Sequence, residues 1–186
     1  MKEKSLIDKY RAADVNGRLI IMFKNYARLP RELRKAEKII IYKIKAEREY
    51  IRSHNRDTLS TKIQSSTISN PTENEAIDNA LLEDAFNTGR IDERFLENIE
   101  EADAYREDIR IISIMRMDYD LLNEVIDGLD EKEIRIIKPY LSHEKTCYEL
   151  ADDEGLSYAG IKKRISKIRS EICDEMADCL GYMKIN

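Results

Sequence analysis

Five cations, Lys162, Lys163, Arg164, Lys167 and Arg169, stand between Ser157 and Ser170 with no anion among them, in a chain whose net charge is −5. Lysines and arginines grouped in this way neutralise phosphates, and on a helix lying in the major groove they also reach base edges. The same stretch carries Ile161, Ile165, Ile168 and Ile172, which advance by 4, 3 and 4 residues and therefore share one helical face. The pattern predicts a helix from Tyr158 to about Leu180 that hides its isoleucines and turns its cations outward. Ser157, Tyr158, Ala159, Lys162 and Lys163, at its N-terminal end, are the expected base-edge residues. Arg164, Lys167 and Arg169 are expected to meet phosphates or to brace the domain.

Other constellations offer less. His54 and His143 are isolated, and neither makes a metal-ligand spacing with Cys147, Cys173 or Cys179. The chain has no glycine-rich phosphate loop, nucleophile elbow or HExxH motif. The carboxylates between Glu73 and Asp127 are spread around helices, so no catalytic acid pair stands out. Met115 and Met117 read as packing residues. We expect no enzyme activity, no cofactor and no metal.

The elements that position the cationic helix are readable upstream of it. Asp130 precedes Glu131-Lys132-Glu133, an N-cap with an acid three residues on, and opens a helix bearing Ile134, Ile136, Ile137 and Leu141. Pro139 falls inside that helix, where a missing backbone donor is expected to kink it. Thr146-Cys147-Tyr148-Glu149 has the spacing of a capping box and opens a short helix with Leu150 and Ala151. Gly155-Leu156 ends it, and Ser157 is placed to cap the next. Two helices joined by a glycine turn, with small Ala151 at their crossing, form a helix-turn-helix pattern. Against DNA binding, Asp152, Asp153 and Glu154 crowd the turn, and Gly160 weakens the first turn of the cationic helix.

The rest of the chain reads as all-α. Only six Gly and three Pro occur in 186 residues, which disfavours a turn-rich all-β fold. Leu6 to Tyr26 has helical spacing, with an interruption expected at Asn16-Gly17. Pro30 suits a helix start, and Leu33, Ala36, Ile40, Ile44 and Ile51 share a face of the helix that follows. These two helices are expected to form an N-terminal hairpin or coiled-coil arm over residues 1–56. Residues 57–72 read as a linker. Residues 73–127 read as acidic central helices: a short one from Glu73 to Phe86 with Ala76, Ile77, Ala80, Leu81 and Ala85 apolar, then a break at Thr88-Gly89. Asp92 to Asp127 lacks Gly and Pro and permits one long helix, whose apolar stripe from Phe95 to Ile126 calls for the hairpin or a second chain as partner. Residues 128–186 are expected to form a trihelical helix-turn-helix domain that binds DNA.

Charge is unevenly distributed. Met1 to Asn70 has 17 cations against 8 anions, Pro71 to Asp127 has 5 against 17, and Gly128 to Asn186 has 10 against 12. The overall acidity therefore does not argue against a nucleic-acid partner, since binding follows local potential. No apolar run is long enough to cross a bilayer, the N-terminus lacks the apolar core of a signal peptide, and three irregularly placed cysteines give no disulfide framework. These features point to a cytoplasmic protein without a membrane partner, and the long apolar stripe of residues 95–126 adds the expectation of a homo-oligomer.

Leu129-Asp130-Glu131-Lys132-Glu133 through Ile137, Thr146 with Glu149-Leu150-Ala151, Gly155-Leu156-Ser157 and Ile161-Lys162 with Arg164-Ile165 together resemble the C-terminal promoter-reading domain of bacterial sigma factors. Ser69-Asn70-Pro71-Thr72 followed by Glu75-Ala76-Ile77, ahead of a long helix and this domain, resembles the sigma-like late-transcription regulators of Gram-positive phages, the ArpU/RinA type. The resemblance implies an activator of phage or prophage late genes that binds double-stranded promoter DNA and works with the bacterial RNA polymerase. Two alternatives share the helix-turn-helix: a small terminase subunit-like DNA-packaging adaptor, and a complete small sigma factor. A helical scaffold that binds no DNA is the reading from outside that class.

Overall fold

The computed structural model describes residues 5–55 and 71–182, and among them the protein is all-helical, without strands. The α-helices are α1 Leu6–Arg11, α2 Val15–Asn25, α3 Leu29–Asn55, α4 Pro71–Thr88, α5 Ala102–Asp127, α6 Glu131–Leu141, α7 Cys147–Asp153 and α8 Tyr158–Tyr182, with a 3-10 turn at Glu93–Phe95. No helix among the described residues is long and apolar enough to cross a membrane. Of the expected linker, Pro71 and Thr72 open α4, and the remainder lies outside the described residues.

Two compact units divide the chain: a terminal unit from Met1–Pro30 with Met115–Asn186, and a middle unit, Arg31–Ile114. This differs from the expected division into 1–56, 57–72, 73–127 and 128–186. In this division α1 and α2 fall in the terminal unit and nearly all of α3 in the middle unit. The reason lies in what α2 buries: Leu19, Met22 and Phe23 are covered within the terminal unit, where α2 packs on α8.

Within the terminal unit the break between α1 and α2 falls at Ala12–Asp14, ahead of Asn16-Gly17. Asp14 caps α2 by accepting from the Gly17 N–H at 2.8 Å, which satisfies a donor that the helix itself leaves open. Tyr10 on α1 is fully buried and donates its hydroxyl to the carboxylate of Asp118, itself buried. Burial pushes both groups up from their ordinary pKa values, although the nearby Arg18 guanidinium pulls each down. The Tyr26 hydroxyl donates to Asn123 at 2.6 Å, and burial pushes it up to about 12. Met115, Leu122 and Ile126 of α5 are buried beneath these contacts.

The middle unit buries Leu33, Ile40 and Ile44 of α3, as their spacing predicts, with Leu82, Ala85 and Phe86 of α4. The buried face of α4 is thus not the one traced by Ile77 and Leu81, which are exposed. The α4 helix ends where Gly89 takes φ 69°, and a Cβ there would meet Ser113 Oγ at 3.2 Å, so only glycine suits both the backbone and the neighbour. The helix expected from Asp92 begins only at Ala102. Asn98 has φ 62°, a conformation asparagine tolerates better than most residues, and the chain turns there so that Phe95, Leu96 and Ile99 all enter the core. The guanidinium groups of Arg48 and Arg94 each lie 4.8 Å from the centre of the Phe95 ring. Arg106, the gap in the apolar stripe, reaches back to Glu93 through bonds of 3.1 and 2.5 Å. The stripe itself is covered by the chain: Ile109, Ile112, Met115, Leu122 and Ile126 are all buried, so it does not call for a second copy.

Candidate nucleic-acid interface

The three helices α6, α7 and α8 pack against one another. Asp130 caps α6 by accepting from the Glu133 N–H at 2.8 Å, and the helix runs through Pro139 to Leu141 without interruption. Pro139 sits in the last turn, where its carbonyl accepts from the Glu144 N–H at 3.0 Å and the Lys145 N–H at 3.1 Å. The capping box at α7 is complete. Thr146 N–H and Oγ1–H both donate to Glu149, at 2.7 and 2.8 Å, and the Glu149 N–H returns to Thr146 Oγ1 at 3.4 Å. Donation from the Thr146 backbone, then from its hydroxyl, holds the Glu149 carboxyl below its usual range.

The turn from α7 to α8 is closed by two backbone bonds, Leu156 N–H to Ala151 C=O at 2.8 Å and Gly155 N–H to Asp152 C=O at 3.2 Å, with Gly155 at φ 63°. Ser157 then caps α8, accepting from the Gly160 N–H at 3.1 Å. Of the three acids crowding this turn, Asp153 is paired with Lys145 at 2.7 Å.

Along α8, Ile161, Ile165, Ile168 and Ile172 are buried, and Met176 extends the same face. Ser157, Tyr158, Ala159, Lys162, Lys163 and Lys167 are exposed, and Arg164 is half-buried. At 100° per residue, Ala159, Lys163, Ser166, Lys167 and Ser170 centre on the outward face. Lys162 lies toward one edge of that face and Arg164 toward the other. Ser166 and Ser170, both exposed, were not singled out from the sequence because serines at this spacing carry no charge signal.

Two cations are already engaged. Lys167 pairs with Glu171 at 3.0 Å, a contact that raises the lysine pKa. Arg169 is half-buried, its guanidinium 4.8 Å from the Phe23 ring centre and its Nε buried. Of the two roles expected for Arg169, the geometry is that of a brace, and a phosphate contact is not what this placement offers. The ring of α2 beneath it was not foreseeable from the periodicity of α8.

Tyr148 was also missed. Its ring, in the first turn of α7, stacks on that of Tyr158 at 4.4 Å between centres and 21° between planes, while Lys162 Nζ lies 5.3 Å from the Tyr158 ring. Both rings are exposed, so two aromatic surfaces and an ammonium group meet where the N-terminal ends of α7 and α8 come together. The signal was an aromatic residue in the first turn of each helix, which becomes visible only when the turn brings the two helices together.

Cys147, Cys173 and Cys179 are half-buried free thiols, and burial pushes Cys173 up, away from the reactive thiolate form. No grouping of His, Cys, Asp and Glu among the described residues suits a metal ion. Compared with family models, curated proteins and solved structures, the chain finds no match in any of the three.

Proposed function

We propose that the chain is a sequence-specific DNA-binding transcription regulator in which α7, the Gly155 turn and α8 act as a helix-turn-helix and α8 enters the major groove. The observation that carries this reading is the division of α8: four isoleucines buried on one side, with Lys162, Lys163 and Lys167 exposed away from them. Ala159 and Lys163 stand nearest base edges, with Lys162 and the Tyr148–Tyr158 pair beside them, and Arg164 and Lys167 meet phosphates. Arg169 holds α8 to α2 instead of touching DNA. The resemblance of Ser69-Asn70-Pro71-Thr72 with Glu75-Ala76-Ile77 and the overall layout to phage late-transcription regulators adds the role of a phage or prophage late-gene activator working with bacterial RNA polymerase.

Selection of bound fragments from random duplex DNA tests the reading directly. The expected result is an enriched motif whose affinity falls steeply with salt, because each neutralised phosphate releases counterions. A Lys162/Lys163/Arg164 triple alanine variant, folded by circular dichroism, should lose the motif. Lys163→Ala should relax discrimination, whereas Lys167→Ala should weaken all sequences alike. Equal binding by the triple variant and the parent protein rejects the site.

A further inference from the structure

Two faces of the middle unit carry apolar side chains that its own core does not use. On α3, Ile39 is 47% exposed, Tyr42 73% and Tyr50 64%, and with Lys35, Lys43 and Ala46 they fall on one side of the helix. Lys38 lies at its edge, and none of these three lysines has an ion-pair or hydrogen-bond partner among the described residues. On α4, Ile77 is 49% exposed and Leu81 39%, one turn apart, with exposed Ala80 and Asp84 on the same stripe and Glu83 beside it. No Lys or Arg occurs anywhere from Pro71 to Thr88.

We propose that these faces meet between copies: the α3 face of one chain docks on the α4 face of a second. Each surface has what the other lacks. One is an apolar strip edged mainly by lysines, with the flanking acid Glu49 paired to Arg52 at 3.9 Å; the other is an apolar strip edged by carboxylates, and such complementarity sets register as well as attraction. The inward sides of the same two helices carry one such charge match within a chain, Arg48 to Asp78 at 3.7 Å, beside a hydrogen bond from Lys45 to Asn79. A nucleic-acid backbone would satisfy the lysines but leave Ile39, Tyr42 and Tyr50 uncovered, so a second copy accounts for more of the surface. This inference does not depend on the DNA-binding reading.

Sedimentation equilibrium on the full chain tests it, with two charge-reversed variants, Lys35→Glu/Lys38→Glu and Glu83→Lys/Asp84→Lys. The parent chain should self-associate, more weakly as salt rises. Each variant alone should associate about tenfold more weakly, or ~1.4 kcal/mol. Mixed in equal amounts, the two variants should recover association, because each then meets the opposite charge. Recovery on mixing also shows that neither variant failed to fold. A parent chain that stays monomeric to about 0.1 mM, well within reach of an interface of ordinary size, overturns the proposal. So does loss of association in only one variant, or a mixture no tighter than its parts; association unchanged in Lys35→Glu/Lys38→Glu would assign the α3 face to a different partner, such as nucleic acid.

Discussion

His143 holds φ at 60° just past the end of α6, where the Glu144 N–H reaches the Pro139 carbonyl and the His143 N–H reaches that of Tyr140. Gly155 holds φ at 63° at the equivalent place after α7, with the same two bonds. The geometry is shared, but only one of the residues is suited to it. Replacing His143 with glycine should therefore raise the stability of the chain by about 0.5–1 kcal/mol, read as a higher urea midpoint with an unchanged slope. Gly155→Ala should lower it by about 1 kcal/mol through the backbone alone, since nothing lies within 4 Å of the added Cβ. Glycine announced its turn in the sequence, whereas a histidine in the left-handed region announced nothing. At Tyr148 the expectation concerns DNA. Tyr148→Phe keeps the stack on Tyr158 and should keep most of the affinity, whereas Tyr148→Ala removes it and should weaken duplex binding several-fold in a fluorescence titration.

Elements show where local pattern sufficed and where it did not. The caps at Asp130, Thr146 and Ser157 and the isoleucine face of α8 were legible because each depends on residues a few positions apart. The buried face of α4 was not legible because Ile77 and Leu81 have the same period as Leu82 and Phe86, and only the partner helix decides which side is covered. The start of α5 was misread because lack of Gly and Pro permits a helix without requiring one, and Asn98 supplied the turn. The brace between α8 and α2 makes a further prediction. Arg169→Ala should cost about 1 kcal/mol through lost packing and cation–π contact on Phe23. Folded Arg169→Ala protein should bind DNA as before, while Lys163→Ala should show the opposite pattern, with stability unchanged.

The α1–α5 contact carries a pH dependence. Asp118 has a folded pKa raised by burial, so the native state holds its proton more tightly than the unfolded chain does. Its contribution is fully present below the unfolded value of about 4 and is lost as pH rises through the folded one. Asp118→Asn keeps an acceptor for Tyr10 and removes the titration. Chemical denaturation across this range should give a parent-minus-variant stability difference that falls as pH rises. A difference that stays flat or rises would show that Tyr10 and Arg18 compensate the buried charge in full.

For the molecule as a whole, the grouping of Met1–Pro30 with Met115–Asn186 could not have been read from the sequence, because it rests on pairs such as Tyr10 with Asp118 that are 108 residues apart. Local period reports which face of a helix is apolar and is silent on which distant segment covers it. Association through α3 and α4 has its own whole-molecule signature: the thermal midpoint should rise with protein concentration in the parent chain, and not in either charge-reversed variant.

The same grouping bears on synthesis. α1 and α2 are translated well before α5 and α8, against which Tyr10 and α2 pack. At roughly 5–20 residues per second, Tyr10 waits on the order of 5–20 s for Asp118. Meanwhile the contiguous segment Arg31–Ile114 emerges whole. The nascent α1 and α2 thus stay sticky and unclaimed, a natural handhold for chaperones until α8 is released.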